Sequence, residues 1–334
     1  MRHSFKQRIK SSPFLARLAW PVYREVLLQR SRYPPKGPIP VFVDDTHLAF
    51  SRVSTNDQYL AWSQIHAAEL VDQRDIESSL NPISPGSFSI QGTCALCGAK
   101  TTFACNFDYA LKQPDGRLLP HFRENLFCAR CGLKNRVRSV LQLFVQECQP
   151  SPQQPIYITE QLGAAYRWLR GRYSAVSGSE YIPESGAFGT SPRGIRNEDL
   201  GALTWPDGSF DFVLSLDVLE HVPDVNSCFS EIFRCLRPGG RLLFTVPFSV
   251  ELSETVVRAV AEANGEITHL MEPEYHGGNV TSPDQGTLCF RYFGWDTMSQ
   301  LKGVGFAEPE AWLFWSRELG YIGSTQVVLT ARKM

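Results

Sequence analysis

The chain has 334 residues, a formal net charge of -1 and a pI near 6.7. That length allows roughly two domains and a sizeable buried core, the balanced charge gives no overall polyanion signal, and no apolar run approaches the ~20 residues that a membrane span requires. Nine cysteines, an odd number, are placed in a way that favours a metal site over a disulfide framework, which fits a reducing, cytoplasmic setting.

The charge is unevenly spread. Residues 1–40 carry nine Lys or Arg against the single Glu25. Residues 1–32 read as one or two short helices with Leu15, Leu18, Val22 and Val26 on one face and with Pro13 and Pro21 at first turns. Arg17, Pro21 and Arg24 interrupt the apolar stretch and argue against a cleaved signal peptide. Such a basic surface suits anionic lipid or an acidic partner, so peripheral membrane contact is one reading. The plainer reading, a helix packed on the body of the protein with a solvated basic face, is preferred. Four prolines make Ser31 to Pro40 a semi-rigid connector, and Asn56 to Leu80 has helical character. Residues 1–90 are therefore expected to form a basic helical region.

The segment from Asn81 to Gly92 reads as a loop-rich boundary leading into Cys94-Ala-Leu-Cys97-Gly98. A second knuckle, Cys128-Ala-Arg-Cys131-Gly132, follows thirty residues after Cys97. Two thiolates on each tight turn give four ligands, Cys94, Cys97, Cys128 and Cys131, for a closed structural zinc site. Strands are predicted over Thr101 to Tyr109 and Leu118 to Phe127, separated by a turn at Gln113 to Gly116, with a helix from Lys134 to Val145. Residues 91–148 thus read as a zinc ribbon or treble clef. Arg130, Lys134, Arg136 and Arg138 cluster after the second knuckle, which raises nucleic-acid binding as an alternative. Solvated cations offsetting thiolate charge account for the cluster equally well.

Gln149 to Pro155 is a proline-containing linker into residues 149–334. Strands are expected at Ile156 to Thr159 and Ala175 to Tyr181, a helix at Ala164 to Arg172, a third strand ending at the acidic pair Glu198-Asp199, and a buried apolar strand from Phe210 to Leu216. Val225 to Leu236 places Val225, Phe229, Ile232, Phe233 and Leu236 at helical spacing, and Pro238-Gly239-Gly240 stops that helix before an apolar strand from Leu242 to Phe248. The alternation implies a parallel sheet covered on both faces. A helix near Asp296 to Leu301 and two last strands should close the domain, interrupted by an insertion at about 249–291.

The run Phe210-Asp-Phe-Val-Leu-Ser215, Leu219-Glu-His-Val222 and Leu236-Arg-Pro-Gly-Gly240 resembles the second half of a class I S-adenosylmethionine-dependent methyltransferase domain of the type 11 kind. The resemblance covers roughly the last 180 residues. It implies an α/β fold with a Rossmann-like seven-stranded, mostly parallel sheet, helices on both faces, and a final strand running antiparallel to its neighbour. It also implies S-adenosylmethionine as cofactor; the acceptor expected here, which neither the resemblance nor the polar insertion residues specify, is a hydroxylated small molecule such as a sugar. The acidic residue Glu180, ending the second strand, would accept the ribose hydroxyls, Asp199 and the N–H of Leu200 would hold adenine, and Asp217 would face the crevice.

The loop after the first strand, Thr159-Glu160-Gln161-Leu162-Gly163, departs from the usual Gly-x-Gly pattern and keeps one glycine. Glu160 is then a candidate counter-ion for the cofactor's ammonium. Loss of cofactor binding, leaving a non-catalytic binding protein, stays open. Proton acceptors for an acceptor hydroxyl are His221, His276 and Glu274. Each histidine also has an ordinary structural reading, and Glu272, Glu274 and His276 lack a complete ligand set for a metal.

Overall fold

In the computed structural model, residues 36–82, 86–113, 116–183, 186–277 and 286–334 are described. The basic segment 1–32 lies outside them, as do parts of the 81–92 boundary, the 113–116 turn and the insertion. No helix among the described residues is long and apolar enough to cross a membrane.

The chain first lays down a short strand, β1 (Ser51–Val53), and two helices, α1 (Asn56–Ile65) and α2 (Ala67–Leu80). Thr55 caps α1 by accepting from the Gln58 N–H. The expected loop-rich boundary instead yields a strand, β2 (Phe88–Cys94), which pairs in full register with β3 (Ala99–Cys105). The first Cys-x-x-Cys turn forms the tip of that hairpin. Of the predicted second strand, Leu118–Leu119 pairs with Leu111–Lys112, and Phe127, with Cys128, pairs with β3 as β4. Pro120 and the left-handed Leu126 (φ 57) break the rest into turns, which frees residues 121–125 to cross to another part of the fold.

Helix α3 (Asn135–Leu143) follows the second knuckle and is buried along its whole length. The structure corrects the reading of a basic surface here. Arg138 is fully buried, donating to the carbonyls of Leu319, Gly320 and Leu126 and lying over the rings of Phe103 and Tyr321. Arg136 is also buried, and only Arg130 of the cluster is exposed. Desolvated, internally paired guanidiniums cannot serve as a phosphate-binding face, so Arg136 and Arg138 do not contribute to the basic surface considered from sequence.

The sheet is built from β5 (Ile156–Ile158), β6 (Val176–Gly178), β7 (Phe210–Leu216), β8 (Leu236–Thr245), β9 (Ala307–Ser316) and β10 (Tyr321–Arg332), with helices α4 (Ala164–Arg170), α5 (Val225–Cys235) and α6 (Asp296–Val304). Its order is β1-β9-β10-β8-β7-β5-β6. The pairings β6–β5, β5–β7 and β7–β8 are parallel. Those of β10 with β8 and β9, and of β1 with β9, are antiparallel. The sheet is therefore seven-stranded and α/β as expected, with an antiparallel last strand, but mixed rather than mostly parallel.

Its membership also differs from expectation. β1 joins at one edge, while the predicted third strand is reduced to one parallel bridge between Asn197 and Glu180. The polar run around Asn197 spends its side chains locally instead of laddering: Asn197 bonds the Ile182 N–H and the Gly186 carbonyl, and Glu198 bonds Arg196 and Thr204.

Alternation along the strands divides two cores. Phe212, Leu214 and Leu216 of β7 and Trp312 and Phe314 of β9 point to the face covered by α3 and α4. Phe210 and Val213, with Ala311 and Leu313, point to the face covered by α5 and α6. The first core also contains Cys94, Phe103, Cys128 and Cys131. The knuckle segment and the sheet thus share one hydrophobic core, which crosses the expected boundary at 148/149.

Candidate functional site

Glu180, Asp217 and the loop after β5 lie at the carboxyl ends of the parallel strands, the edge whose crevice collects ligands in open α/β sheets. At the end of β6, Glu180 is half-buried, and its Oε1 accepts from the N–H groups of Gln161 and Leu162, 2.8 Å each. Burial pushes its pKa up to about 7, and the two N–H donors only partly offset this. Both bonds fall on one oxygen. The other has no hydrogen-bond partner among the described residues.

The loop after β5 is closed down on itself. Glu160 Oε1 accepts from the N–H groups of Ala165 and Tyr166 at 3.1 and 3.3 Å, capping the start of α4 from outside. The retained glycine makes room for this arrangement, because a Cβ at Gly163 would meet the Glu160 carboxylate at about 2.0 Å. One oxygen of Glu160 is therefore engaged with the helix terminus. Thr159 turns its hydroxyl to Ser215 (3.1 Å). Asp199 is half-buried and accepts from the Gly201 N–H, and Leu200 beside it is buried.

Asp217 directly follows β7 in a left-handed conformation (φ 51), which aspartate tolerates better than most residues. Its N–H is fixed to the Thr245 carbonyl at 2.9 Å. Its carboxylate is not open to the crevice as expected. Arg123, carried in by the 121–125 turns of the knuckle segment, bonds both oxygens at 3.0 Å, and Arg136 Nε lies 3.1 Å from Oδ2. Burial would raise the Asp217 pKa, but Arg123 and Arg136 outweigh it and hold the group well below the usual carboxylate range. Glu124 completes this network with Arg123, Lys134 and Arg136, and is held low in the same way.

One turn further along, Glu220 is fully buried, and neither carboxylate oxygen has a hydrogen-bond partner among the described residues. Burial, then the nearby Asp217, push its pKa up to about 8. His221 Nδ1 donates to the Leu288 carbonyl at 2.8 Å, and burial keeps its ring toward the neutral form. His276 packs edge-on against it, with ring centroids 5.2 Å apart, and places Nε2 2.9 Å from Glu274 Oε1. Glu274 is also held by Tyr292 and Arg258.

The structure therefore brings the three proposed proton acceptors, His221, His276 and Glu274, together across 55 residues of sequence. Strand pairing does this: Tyr275 pairs with Leu288 and His276 with Thr287, and the Phe290 N–H then bonds the Glu220 carbonyl at 2.8 Å. Glu220, Arg123, Arg136 and Arg258 were missed in sequence as members of the crevice. Glu220 had a signal, since it lies inside the Leu-Glu-His-Val motif. The arginines had none at short range.

The four knuckle sulfurs lie within 4.8 Å of one another, with Cys94 to Cys131 at 3.9 Å and Cys97 to Cys128 at 4.0 Å. A tetrahedral zinc thiolate centre has sulfur-to-sulfur edges of about 3.8 Å, so the donors fit such an ion. Gly98 (φ 60) and Gly132 (φ 70) supply the left-handed turns, and the Arg130 N–H points at Cys128 Sγ (3.3 Å).

Comparison with known proteins adds the following. A probable S-adenosylmethionine-dependent methyltransferase of Mycolicibacterium smegmatis is 42% identical over 123 residues, 35% of this chain and 42% of the relative. Phosphoethanolamine N-methyltransferase 2 of Caenorhabditis elegans is 48% identical over 40 residues, 12% of this chain and 9% of the relative. The chain thus spans less than half the length of these curated relatives. A solved S-adenosylmethionine-dependent methyltransferase from Mesorhizobium loti aligns with a TM-score of 0.35 and 20% identity over 58% of this chain and 98% of that one. Residues 162–244 match the family described as a methyltransferase domain. The matched segment runs from the loop after β5 to the end of β8 and carries Glu180, Asp199, Asp217 and Glu220.

Proposed function

We propose that the chain is an S-adenosylmethionine-dependent methyltransferase acting on a hydroxylated small molecule such as a sugar. The observation that carries this reading is the row of carboxylates at the carboxyl ends of the parallel strands, within the segment that matches the family. Glu180, with one oxygen uncommitted, would hold the ribose hydroxyls. Asp199 and the Leu200 N–H would hold adenine, and the Thr159 to Gly163 loop would border the methionine portion. S-adenosylmethionine supplies an electrophilic methyl group when bound. The chain's part is to place an acceptor oxygen in line with it and exclude water. Glu220, His221, His276 and Glu274 form the polar wall that an acceptor would meet, and the neutral His221 ring is suited to taking up a hydroxyl proton.

A second reading is a non-catalytic binding protein, favoured by Glu160 folding over Gly163 where a glycine-rich loop would otherwise approach the cofactor. The test is incubation with methyl-labelled S-adenosylmethionine and a panel of sugars and phenols. The enzyme reading expects labelled product and S-adenosylhomocysteine in equal amounts, both lost in Glu180→Ala. Saturable S-adenosylhomocysteine binding with no transfer to any acceptor would favour the non-catalytic reading instead.

For the knuckles, the proposal is one structural Zn(II) on Cys94, Cys97, Cys128 and Cys131. Its support is the fit of the sulfur spacing. Cys128→Ser should lose that zinc and unfold the shared core at lower temperature, whereas an unchanged zinc content would contradict it.

A further inference from the structure

We propose that Glu220, His221 and His276 form a binding site for a divalent transition-metal ion, with an open coordination position for an oxygen of the methyl acceptor. The inference rests on the reading above and reassigns the two imidazoles from proton acceptors to ligands.

The argument begins with the lone pairs. His221 gives its Nδ1–H to the Leu288 carbonyl, so the acceptor nitrogen of the neutral ring is Nε2, 3.7 Å from Glu220 Oε1. His276 gives its Nε2–H to Glu274, so its acceptor nitrogen is Nδ1, 3.9 Å from the same oxygen. Three acceptors therefore converge, with ligand atoms all within 4.8 Å of one another. The carboxylate among them is fully buried and has no hydrogen-bond donor among the described residues.

A buried carboxyl group with no hydrogen-bond partner, facing two imidazole lone pairs, is unfavourable, and a cation seated between them relieves it. The separations are too long for a hydrogen bond from a protonated ring. They lie close to the edges of a coordination polyhedron: metal-to-ligand bonds near 2.1 Å at tetrahedral angles put donor atoms about 3.4 Å apart.

Neighbouring cations do not fill the gap. Arg136 is committed to Asp217 and Glu124, Arg123 to the same pair, and Arg258 to Glu274 and the Glu272 carbonyl. The outer nitrogens of both rings bond a carbonyl and a carboxylate, the arrangement that orients imidazoles and raises their basicity toward a metal. The backbone fixes the rest. Buried Arg291 binds the carbonyls of Leu219, Val222 and Pro223 and pins the turn that carries Glu220 and His221, while the 275–276 and 287–288 pairing holds His276 opposite.

Two imidazoles with one carboxylate favour zinc or a similar first-row ion over magnesium or calcium, which prefer all-oxygen shells. Three protein ligands leave a position open, unlike the closed four-cysteine set. A bound dication with a single anionic ligand keeps positive charge, which favours an acceptor hydroxyl over an amine at that position.

The test is zinc stoichiometry and calorimetric titration of Zn(II) into the full chain, without cofactor or acceptor. Wild type should take two zinc ions per chain, and His221→Ala and His276→Ala one, with the knuckle zinc retained as the control for folding. Glu274→Gln removes only the carboxylate that orients His276. It should keep two sites but weaken the second about 10–100-fold, so it carries the test even if an alanine variant is unstable. Magnesium should give no binding. A wild type holding one zinc at saturating Zn(II), or a second zinc retained in both histidine variants, would overturn the proposal. Titration of S-adenosylhomocysteine into the same samples separates this from the methyltransferase reading: metal without cofactor binding sinks that reading alone, and cofactor without metal binding sinks this one.

Discussion

The two halves of the crevice hold their carboxylates by different means. On the side proposed for the cofactor, Glu160 and Glu180 are bonded by backbone N–H groups within about one loop and one helix of their own positions. On the side proposed for the acceptor, Asp217 is bonded by Arg123 from the knuckle segment, and Glu220 faces a histidine from the insertion. Local backbone donors make a pocket that the parallel-strand unit can form by itself. Charges brought from 94 residues away make one that exists only once the knuckle segment and the sheet have docked.

That contrast predicts a gradient of effects. The largest should come from Arg136→Met, which leaves Asp217 and Glu124 short of a buried partner and should cost about 3–5 kcal/mol in unfolding free energy by denaturant titration. A cost below about 1 kcal/mol would mean that the acceptor side does not depend on docking.

Next come the opposite pH responses of the two sides. The Asp217 pKa is depressed in the folded state, so its contribution to stability is present above about pH 4 and is lost as the pH falls. The Glu180 pKa is raised to about 7, so its contribution is present below about pH 4.5 and is lost as the pH rises through 7. Ribose hydroxyls need the Glu180 carboxylate as acceptor, so cofactor affinity should strengthen as the pH rises through 7. Glu180→Gln should weaken binding about tenfold, roughly 1.4 kcal/mol, and abolish that pH dependence. A variant whose affinity still tracks pH in this range would assign the titration to another group.

The smallest effect should come from Glu160→Ala, which removes only an external cap from α4 and should cost about 1 kcal/mol in thermal or denaturant unfolding. A cost as large as that of Arg136→Met would erase the distinction between the two sides.

The same contrast explains what the sequence revealed. Strands β5 to β8 and helix α5 were legible because their apolar periodicity is a local signal, although β8 begins at Leu236 and takes in the Pro-Gly-Gly run expected to precede it, and the four-cysteine spacing is local to each knuckle. Glu180 and Asp217 were placed correctly at strand ends for the same reason. The partners of Asp217 were not legible, because nothing near Arg123 or Arg136 in sequence marks them as internal. Arg136 and Arg138 looked like solvated surface cations until the burial of α3 showed otherwise. The third strand failed because Asn197 and Glu198 bond their own surroundings more readily than a neighbouring strand. β1 was missed because three residues carry no periodicity.

The central claim, that the crevice binds S-adenosylmethionine despite its single-glycine loop, is tested most directly by calorimetric titration of S-adenosylmethionine into folded, zinc-loaded protein and into Glu180→Ala. Saturable micromolar-range binding that disappears in the variant is the predicted result, and absence of binding by the wild type at millimolar ligand would contradict it.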